Sequence, residues 1–237
     1  MVNRNKRAIT LDLEDPAGRE LLLRLVASAH AVVENFSGAV LPKLNLSYDV
    51  FKQVNDKIIL VSMPAFGSTG PWANFRAYGS TVEQSSGLPH LNGSAEDLPT
   101  MHHVAYGDAV GGLNGAAALL VALRHQARTG LGQFVDVSQV EGLFPLASHG
   151  IMEFSANQRQ PVRMGNRREG INPHGVYPCV GDDAWIVIQI YNDAQWQALR
   201  GMAAPYLDEF TDRFANCLLY TSPSPRDVEE SRMPSSA

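Results

Sequence analysis

The chain has 237 residues, of which 45% are hydrophobic and 8% aromatic, and its formal net charge is −5. This composition is typical of a globular protein with a substantial core, and two cysteines are too few for a disulfide framework. The acidic balance argues against nucleic acid or an anionic membrane as the main partner. No uninterrupted apolar run reaches the roughly 18 residues of a membrane span, and the first residues lack the apolar core of a signal peptide.

The first 65 residues alternate strand and helix signals. Apolar alternation and short apolar runs indicate the strands, and Asp15 followed by Pro16 is a helix start. Phe51 and Val54 are expected to point inward from a short helix. The predicted elements are, in order, strand 8–13, helix 15–29, strand 31–36, helix 47–55 and strand 57–63. This order predicts a parallel, doubly wound α/β sheet, in which ligands bind at the carboxyl ends of the strands.

A second set of elements follows a polar, glycine-rich segment, 66–108. A helix is predicted from about Ala109 to Arg128, and its apolar residues at helical spacing are expected to face the core. Those residues are Leu113, Ala116, Ala117 and Leu120. The later elements are, in order, strand 134–138, helix 139–156, a hairpin turned at 181–183 and helix 192–203.

The domain organisation is predicted from the change in element order. An α/β domain covers residues 1–145, a linker covers 146–174, and a small second domain begins with 175–216. The end of the chain, 217–237, is rich in Ser and Pro and lacks apolar periodicity. The ordinary interpretation of such a segment is a disordered terminus. It also resembles the translation of a transposase adapter used in sequencing libraries. We therefore expect the natural coding sequence to be interrupted after Asn216, and a clone from source DNA that continued into this tail would contradict that expectation.

The residue of greatest chemical interest is Asp108, which stands between glycines ahead of the long apolar helix. On spacing alone it is a helix N-cap, because aspartate is a favoured cap. The alternative is a reactive carboxylate, since a helix N-terminus favours negative charge and neighbouring glycines let a ligand approach closely. The two readings are compatible. His102 and His103, just before it, are expected to be solvent-facing loop residues, and no spacing in the chain suits a metal.

Four blocks of sequence, in order, resemble the family III CoA-transferases, also called the CaiB/BaiF group. They are "NRNKRAITLDLEDPAGRELLLRLVASAHAVVENF", "AFGSTGPWANFRAYGSTVEQSSGL", "GDAVGGLNGAAALLVALRHQARTGLGQFVDVSQVEGL" and "NPHGVYPCVGDDAWIVI". The resemblance implies a Rossmann-like, doubly wound CoA-binding α/β domain leading into a smaller α+β second domain. It also implies that both the first strand and the C-terminal return of that CoA-binding domain are missing from this chain.

The resemblance assigns roles to individual residues. The catalytic aspartate of the family matches Asp108. The positions that border CoA match Leu11, Asn35, Phe36, Lys43, Arg76 and Tyr78. Gly107, Gly111 and Gly112 are expected to give close approach to the thioester and amide donors for its oxyanions.

The implied activity is transfer of CoA from an acyl-CoA to a carboxylic acid through an aspartyl-CoA thioester. CoA is then a substrate, so no cofactor or metal is expected, and the protein is expected to be a cytoplasmic, interlocked homodimer. One alternative is a 2-methylacyl-CoA racemase, whose second acid–base group is a His where Tyr78 stands. A phenol, with a reference pKa of about 10, is a poor base, and this favours the transferase. A further alternative is that the chain, lacking both ends of the domain, is inactive.

Overall fold

The computed structural model describes residues 3–101, 106–168 and 170–203. They form two compact units, one made from the residues up to Leu91 together with 99–161, and the other from 92–98 together with the residues from Val162 onward. The helices of the described chain are Pro16–Val26 (α1), Val40–Lys43 (α2), Tyr48–Val54 (α3), Gly79–Ser85 (α4), Tyr106–Thr129 (α5), Ser148–Asn157 (α6) and Asp193–Ala203 (α7). The strands are Ala31–Glu34 (β1), Ile59–Ser62 (β2), Gln133–Asp136 (β3), His174–Pro178 (β4) and Trp185–Gln189 (β5).

The first unit is built on a parallel sheet with the order β1-β2-β3. All four residues of the central strand β2 are buried, which explains its unbroken apolar sequence. Leu60 packs with residues of α1 and α3, whereas Ile59 and Val61 pack with Ala122 of α5. Helices therefore cover both faces of the sheet, and the predicted α/β class is confirmed.

Helices α1 and α3 form where the sequence places them. The Asp15 side chain accepts a hydrogen bond from the Ala17 amide at 2.8 Å, as expected of an N-cap. Of the two residues predicted to point inward from α3, Phe51 is 1% exposed but Val54 is 42% exposed. The prediction for Val54 was wrong, because the last turn of this short helix faces solvent.

Residues 8–13 do not form the predicted strand. They are largely exposed and carry no strand hydrogen bonds. The Asp12 carboxylate instead accepts from the amides of Glu14 and Asp15, at 2.9 and 3.4 Å. This local turn competes with strand pairing and leads the chain directly into α1.

Helix α5 begins at Tyr106 and presents a different face to the core from the one predicted. Leu113 and Leu120 are 72% and 68% exposed. The buried positions are Gly107, Gly111, Gly115 and Ala122. Small residues on this face let the helix backbone lie close to the sheet, so that a side chain at Gly115 would overlap the sulfur of Met63. The apolar spacing was therefore a misleading guide, because close approach determined which face is buried.

By length and composition alone, α5 is also apolar enough to cross a membrane. The sequence prediction missed this because glycines interrupt the apolar run. Of that apolar window, 22% is buried in the described chain. Here α5 packs against β2, β3 and α4 within the first unit.

The second unit contains the predicted hairpin. Strands β4 and β5 pair antiparallel, and Gly181 and Asp183 adopt positive φ angles in the turn between them. Helix α7 follows and buries Trp196. Helix α6 lies within the predicted linker 146–174 and belongs to the first unit, while the boundary of that unit falls after Pro161.

Candidate functional site

The carboxyl ends of β1, β2 and β3 meet at one edge of the sheet, and the segments that follow them begin side by side. The Met63 amide, just after β2, donates to the Glu34 carbonyl at 2.9 Å. The Val137 amide, just after β3, donates to the Ser62 carbonyl at 2.8 Å. Ligands bind at this edge in open parallel α/β sheets, so the segments after the three strands form the candidate binding region.

The segment after β2 is held to β3 by side chains. Asp136 accepts hydrogen bonds from the amide of Ser68, at 2.8 Å, and from its hydroxyl, at 2.5 Å. The Gln139 side chain donates to the Met63 carbonyl at 2.6 Å. These contacts fix the loop 63–78, which carries two of the predicted CoA-binding residues.

The same loop carries an aromatic cluster. The ring of Phe66 meets those of Trp72 and Phe75 edge-on, with centroids 5.5 and 6.5 Å apart. Trp72 and Phe75 remain largely exposed. An exposed aromatic surface at a strand end suits the adenine or pantetheine of a CoA thioester.

Asp108 lies in the first turn of α5, and this turn is beyond the carboxyl edge of the sheet. Its place follows from the neighbouring turns of the same helix, because Gly111 lies against the Gln139 side chain and Gly115 against Met63. The Asp108 carboxylate packs against Gly79, the first residue of α4, and the residue as a whole is exposed. A carboxylate in this position has the partial positive charge of the α5 N-terminus beneath it and an open side toward solvent.

The structure therefore refines the two sequence readings of Asp108. The predicted helix start at Ala109 would make Asp108 the N-cap, but α5 begins at Tyr106 and includes Asp108 in its first turn. The residues before Tyr106, which include His102 and His103, lie outside the described residues. Asp108 is thus an acidic first-turn residue whose carboxylate is accessible.

The six predicted CoA-binding residues divide into three groups. Asn35 and Phe36 are exposed directly after β1, and the Phe36 amide donates to the Glu34 carboxylate at 2.8 Å. Their loop lies beside the loop after β2, since a side chain at Gly38 would come within 3.5 Å of the Ala73 carbonyl.

Tyr78 is 85% exposed and directly precedes Gly79, the residue against which the Asp108 carboxylate packs. Arg76 is exposed two residues earlier in the same loop. Lys43 is exposed at the end of α2, and Leu11 is half-buried in the irregular segment ahead of α1. The contacts above connect Asn35, Phe36, Arg76 and Tyr78 to this edge but do not reach Leu11 or Lys43.

The glycine prediction needs correction. Only the first four amides of a helix lack an intrahelical carbonyl, so those of Gly111 and Gly112 are committed within α5 and do not suit oxyanion binding. Gly111 faces the Gln139 side chain, while Gly112 has open space around its Cα. Gly107 is in the first turn, but a side chain there would overlap the Gly79 carbonyl. Gly107 and Gly111 both lie in close contact with neighbouring segments, and of the three glycines Gly107 alone has a first-turn amide that could serve an oxyanion.

Sequence reasoning missed three residues of this edge, Gly79, Asp136 and Gln139. Asp136 could have been found, because it is a carboxylate at the end of a predicted parallel strand. Gly79 and Gln139 gave no sequence signal, since their roles depend on contacts with distant segments. Among residues 3–101, 106–168 and 170–203, no group of three or more His, Cys, Asp or Glu side chains could hold a metal ion.

Comparison with known proteins identifies the family of the chain. A family model described as CoA-transferase family III matches residues 1–216. The chain belongs to CoA-transferase family III. The match leaves out 217–237, which also lies outside the described residues.

Curated relatives carry transferase names. The chain is 34% identical over 197 residues to the succinate–glutarate CoA-transferase of Agrobacterium fabrum, covering 83% of the chain and 49% of the relative. It is 32% identical over 223 residues to the acetyl-CoA:oxalate CoA-transferase of Acetobacter aceti, covering 91% of the chain and 57% of the relative. The chain thus spans about half the length of these relatives.

Solved structures show the same fold. A CaiB/BaiF family protein from Brucella suis superposes with a TM-score of 0.78 at 32% identity, covering 97% of the chain and 58% of the other protein. Rv3272 from M. tuberculosis superposes with a TM-score of 0.75 at 25% identity, covering 97% of the chain and 58% of the other protein. The resemblance seen in the four sequence blocks is confirmed at the level of the family.

Proposed function

We propose that this chain carries the nucleophile of an acyl-CoA:carboxylate CoA-transferase and that Asp108 is that nucleophile. The observation that carries the proposal is the exposed carboxylate in the first turn of α5, beyond the carboxyl edge of the sheet and against Gly79, in a member of CoA-transferase family III. The α5 N-terminus favours negative charge at this position, which a carboxylate nucleophile requires.

The first half of the reaction loads CoA onto the protein. An oxygen of the Asp108 carboxylate attacks the thioester carbonyl of the donor, the carbon–sulfur bond breaks, and CoA thiolate leaves a mixed anhydride. The thiolate then attacks the carbonyl carbon of Asp108. The donor acid departs with the bridging oxygen, and an aspartyl-CoA thioester remains.

The second half reverses these steps with a new acid. The acceptor carboxylate attacks the aspartyl-CoA carbonyl and expels CoA thiolate, which gives a second anhydride. The thiolate attacks the acceptor's carbonyl carbon, so that the new acyl-CoA leaves and the Asp108 carboxylate is restored. The energy of the thioester is conserved throughout, so the overall reaction needs no nucleoside triphosphate and no redox partner.

The loops at the carboxyl edge offer groups for the other parts of CoA. Arg76 supplies positive charge suited to the nucleotide phosphates, and the exposed rings of Phe36 and Tyr78 offer apolar surfaces for adenine or pantetheine. Lys43, at the end of α2, is proposed as a second phosphate-binding residue on the family resemblance alone. The relatives are named for succinate, glutarate, oxalate and citramalate. Short dicarboxylic acids and their CoA thioesters are therefore the proposed substrates. We further propose a cytoplasmic homodimer that requires no cofactor, as the sequence resemblance implies.

Replacement of the nucleophile tests the assignment. In a preparation of the protein that shows transfer between acyl-CoA and acid, Asp108→Asn retains the shape of the side chain but removes its nucleophilic oxygen. We expect kcat to fall by roughly four orders of magnitude or more, as for other nucleophile deletions. Asp56→Asn is the matched control, because Asp56 is an exposed carboxylate at the opposite edge of the sheet, ahead of β2. Retained turnover in Asp108→Asn would refute the assignment.

An oxygen label tests the intermediate without a mutation. When enzyme in excess meets donor and an acceptor acid labelled with oxygen-18, the first donor acid released takes its oxygen from Asp108 and is unlabelled. The label then appears in the peptide that contains Asp108. Direct attack of the acceptor on the donor thioester would place the label in the donor acid on the first turnover, which would rule out the covalent route.

The racemase alternative makes a different prediction. It requires two acid–base groups flanking the α-carbon, and the sequence offers Tyr78 for the second of them. A phenol is a poor base, so we expect no exchange of the α-proton of a 2-methylacyl-CoA in deuterated water. Exchange without movement of CoA would favour the racemase.

A further inference from the structure

The Asp108 carboxylate occupies the space in which residue 79 would carry a side chain. A Cβ built on Gly79 would lie 2.5 Å from both Cγ and Oδ2 of Asp108 and 2.8 Å from Oδ1. These are the three heavy atoms nearest to that position, and real Cβ atoms essentially never come so close to another atom. The Asp108 carboxylate thus packs directly against the Cα of Gly79.

The backbone at Gly79 does not itself require glycine. Gly67, Gly70 and Gly87 of the same unit have positive φ angles, which L-residues rarely adopt, but Gly79 does not. Gly79 is the first residue of α4, where alanine is compatible with the helix and glycine is the less favourable residue. The need for a glycine at this position therefore comes from space and not from conformation.

The position of Gly79 is determined by the close crossing of the first turns of α4 and α5. A side chain at Gly107 would overlap the carbonyl of Gly79 and come within 3.1 Å of the Val82 Cβ, which is buried in the core. Glycine on both sides of the crossing allows α4 and α5 to meet at backbone distance. As a result Gly79 is buried on one side of the Asp108 carboxylate, while Asp108 itself is exposed.

We infer that Gly79 is a positioning residue for the Asp108 carboxylate, an inference that rests on the proposed function. Any side chain at position 79 displaces the carboxylate from its place beside the first turn of α4. Because the displaced atoms are the end of a flexible side chain, the fold can adapt by rotation of Asp108. The expected consequence is a loss of reaction rate with little loss of stability.

The test compares Gly79→Ala with Gly201→Ala in a preparation that shows CoA transfer. Gly201 is a helical glycine of α7 with open space around its Cα, so its replacement adds the same methyl group without a clash. For Gly79→Ala we expect kcat to fall by about 100-fold, as for a displacement of about 1 Å at a reacting group. The KM for acyl-CoA and the Tm should stay close to those of the parent protein. A kcat equal to that of Gly201→Ala would overturn the inference.

A second comparison keeps the inference testable if Gly79→Ala is unstable. Asp108→Ala removes the atoms with which the new methyl group collides. If the carboxylate is the cause, adding Gly79→Ala to Asp108→Ala leaves the Tm of the latter unchanged. If adding Gly79→Ala to Asp108→Ala lowers the Tm as much as Gly79→Ala does alone, other neighbours are responsible and the inference fails. Turnover by Asp108→Asn would instead refute the proposed function, so the two failures are distinguishable.

Discussion

Asp136 is predicted to anchor the loop 63–78 through both of its hydrogen bonds to Ser68. Hydrogen bonds to a charged group contribute about 1.5–3 kcal/mol each when buried. Because Asp136 is exposed and Ser68 is only half-buried, solvent reduces this, and we expect Asp136→Ala to lower the free energy of unfolding by about 1–2 kcal/mol in all. Ser68→Ala removes only the hydroxyl bond at 2.5 Å and should cost about 0.5–1 kcal/mol.

Urea unfolding of the parent, the two single alanine variants and the double variant measures the interaction free energy between Asp136 and Ser68. The double variant should be less destabilised than the sum of the two single variants, because both remove the hydroxyl bond. Asp136→Asn, which keeps one acceptor oxygen, should fall between the parent and Asp136→Ala. If Asp136→Ala costs no more than Ser68→Ala, or if the effects simply add, the reasoning is refuted.

The anchor also has an expected kinetic effect. The loop it holds carries Arg76 and Tyr78, both proposed to border CoA. Asp136→Ala should therefore raise the KM for acyl-CoA several-fold while changing kcat less, since Asp108 lies on a different segment. A change in kcat alone would contradict a role in holding the CoA-binding loop.

The remaining predictions concern stability. Phe51→Ala should lower the free energy of unfolding by about 3–5 kcal/mol, because Phe51 is 1% exposed. Val54→Ala on the same helix should change it by less than about 0.5 kcal/mol. Equal effects of the two variants in thermal or urea unfolding would show that Phe51 is not in the core. The hydrogen bond from Arg159, with a second from Asn157, lowers the pKa of Glu153 below its ordinary value. Since the folded-state pKa is the lower one, the stabilisation is present above the ordinary glutamate range and is lost as the pH falls toward the folded-state pKa. The small stability difference between the parent and Glu153→Gln should therefore shrink on acidification, and a difference that does not depend on pH would contradict this pairing.

The sequence by itself determined the family, the α/β class and most of the elements. Strand β2 was predictable because it is buried on both faces and reads as one apolar run, and α1 because Asp15 and Pro16 mark its start locally. Asp108 was also selected from the sequence, since its glycines and the family resemblance pointed to the same residue, and its catalytic role stays a prediction. These features depend on interactions between residues near each other in the chain or on motifs that persist in the sequence.

The tertiary structure alone decided which face of α5 is buried and what surrounds Asp108. Apolar spacing selected Leu113 and Leu120 for the core, but glycines allow closer approach of the helix to the sheet, and the leucines remain exposed. The contact between Gly79 and Asp108 joins residues on two helices, and the bond between Ser68 and Asp136 spans 68 positions. No local pattern encodes such contacts, because they arise only when separate segments are brought to the same edge of the sheet.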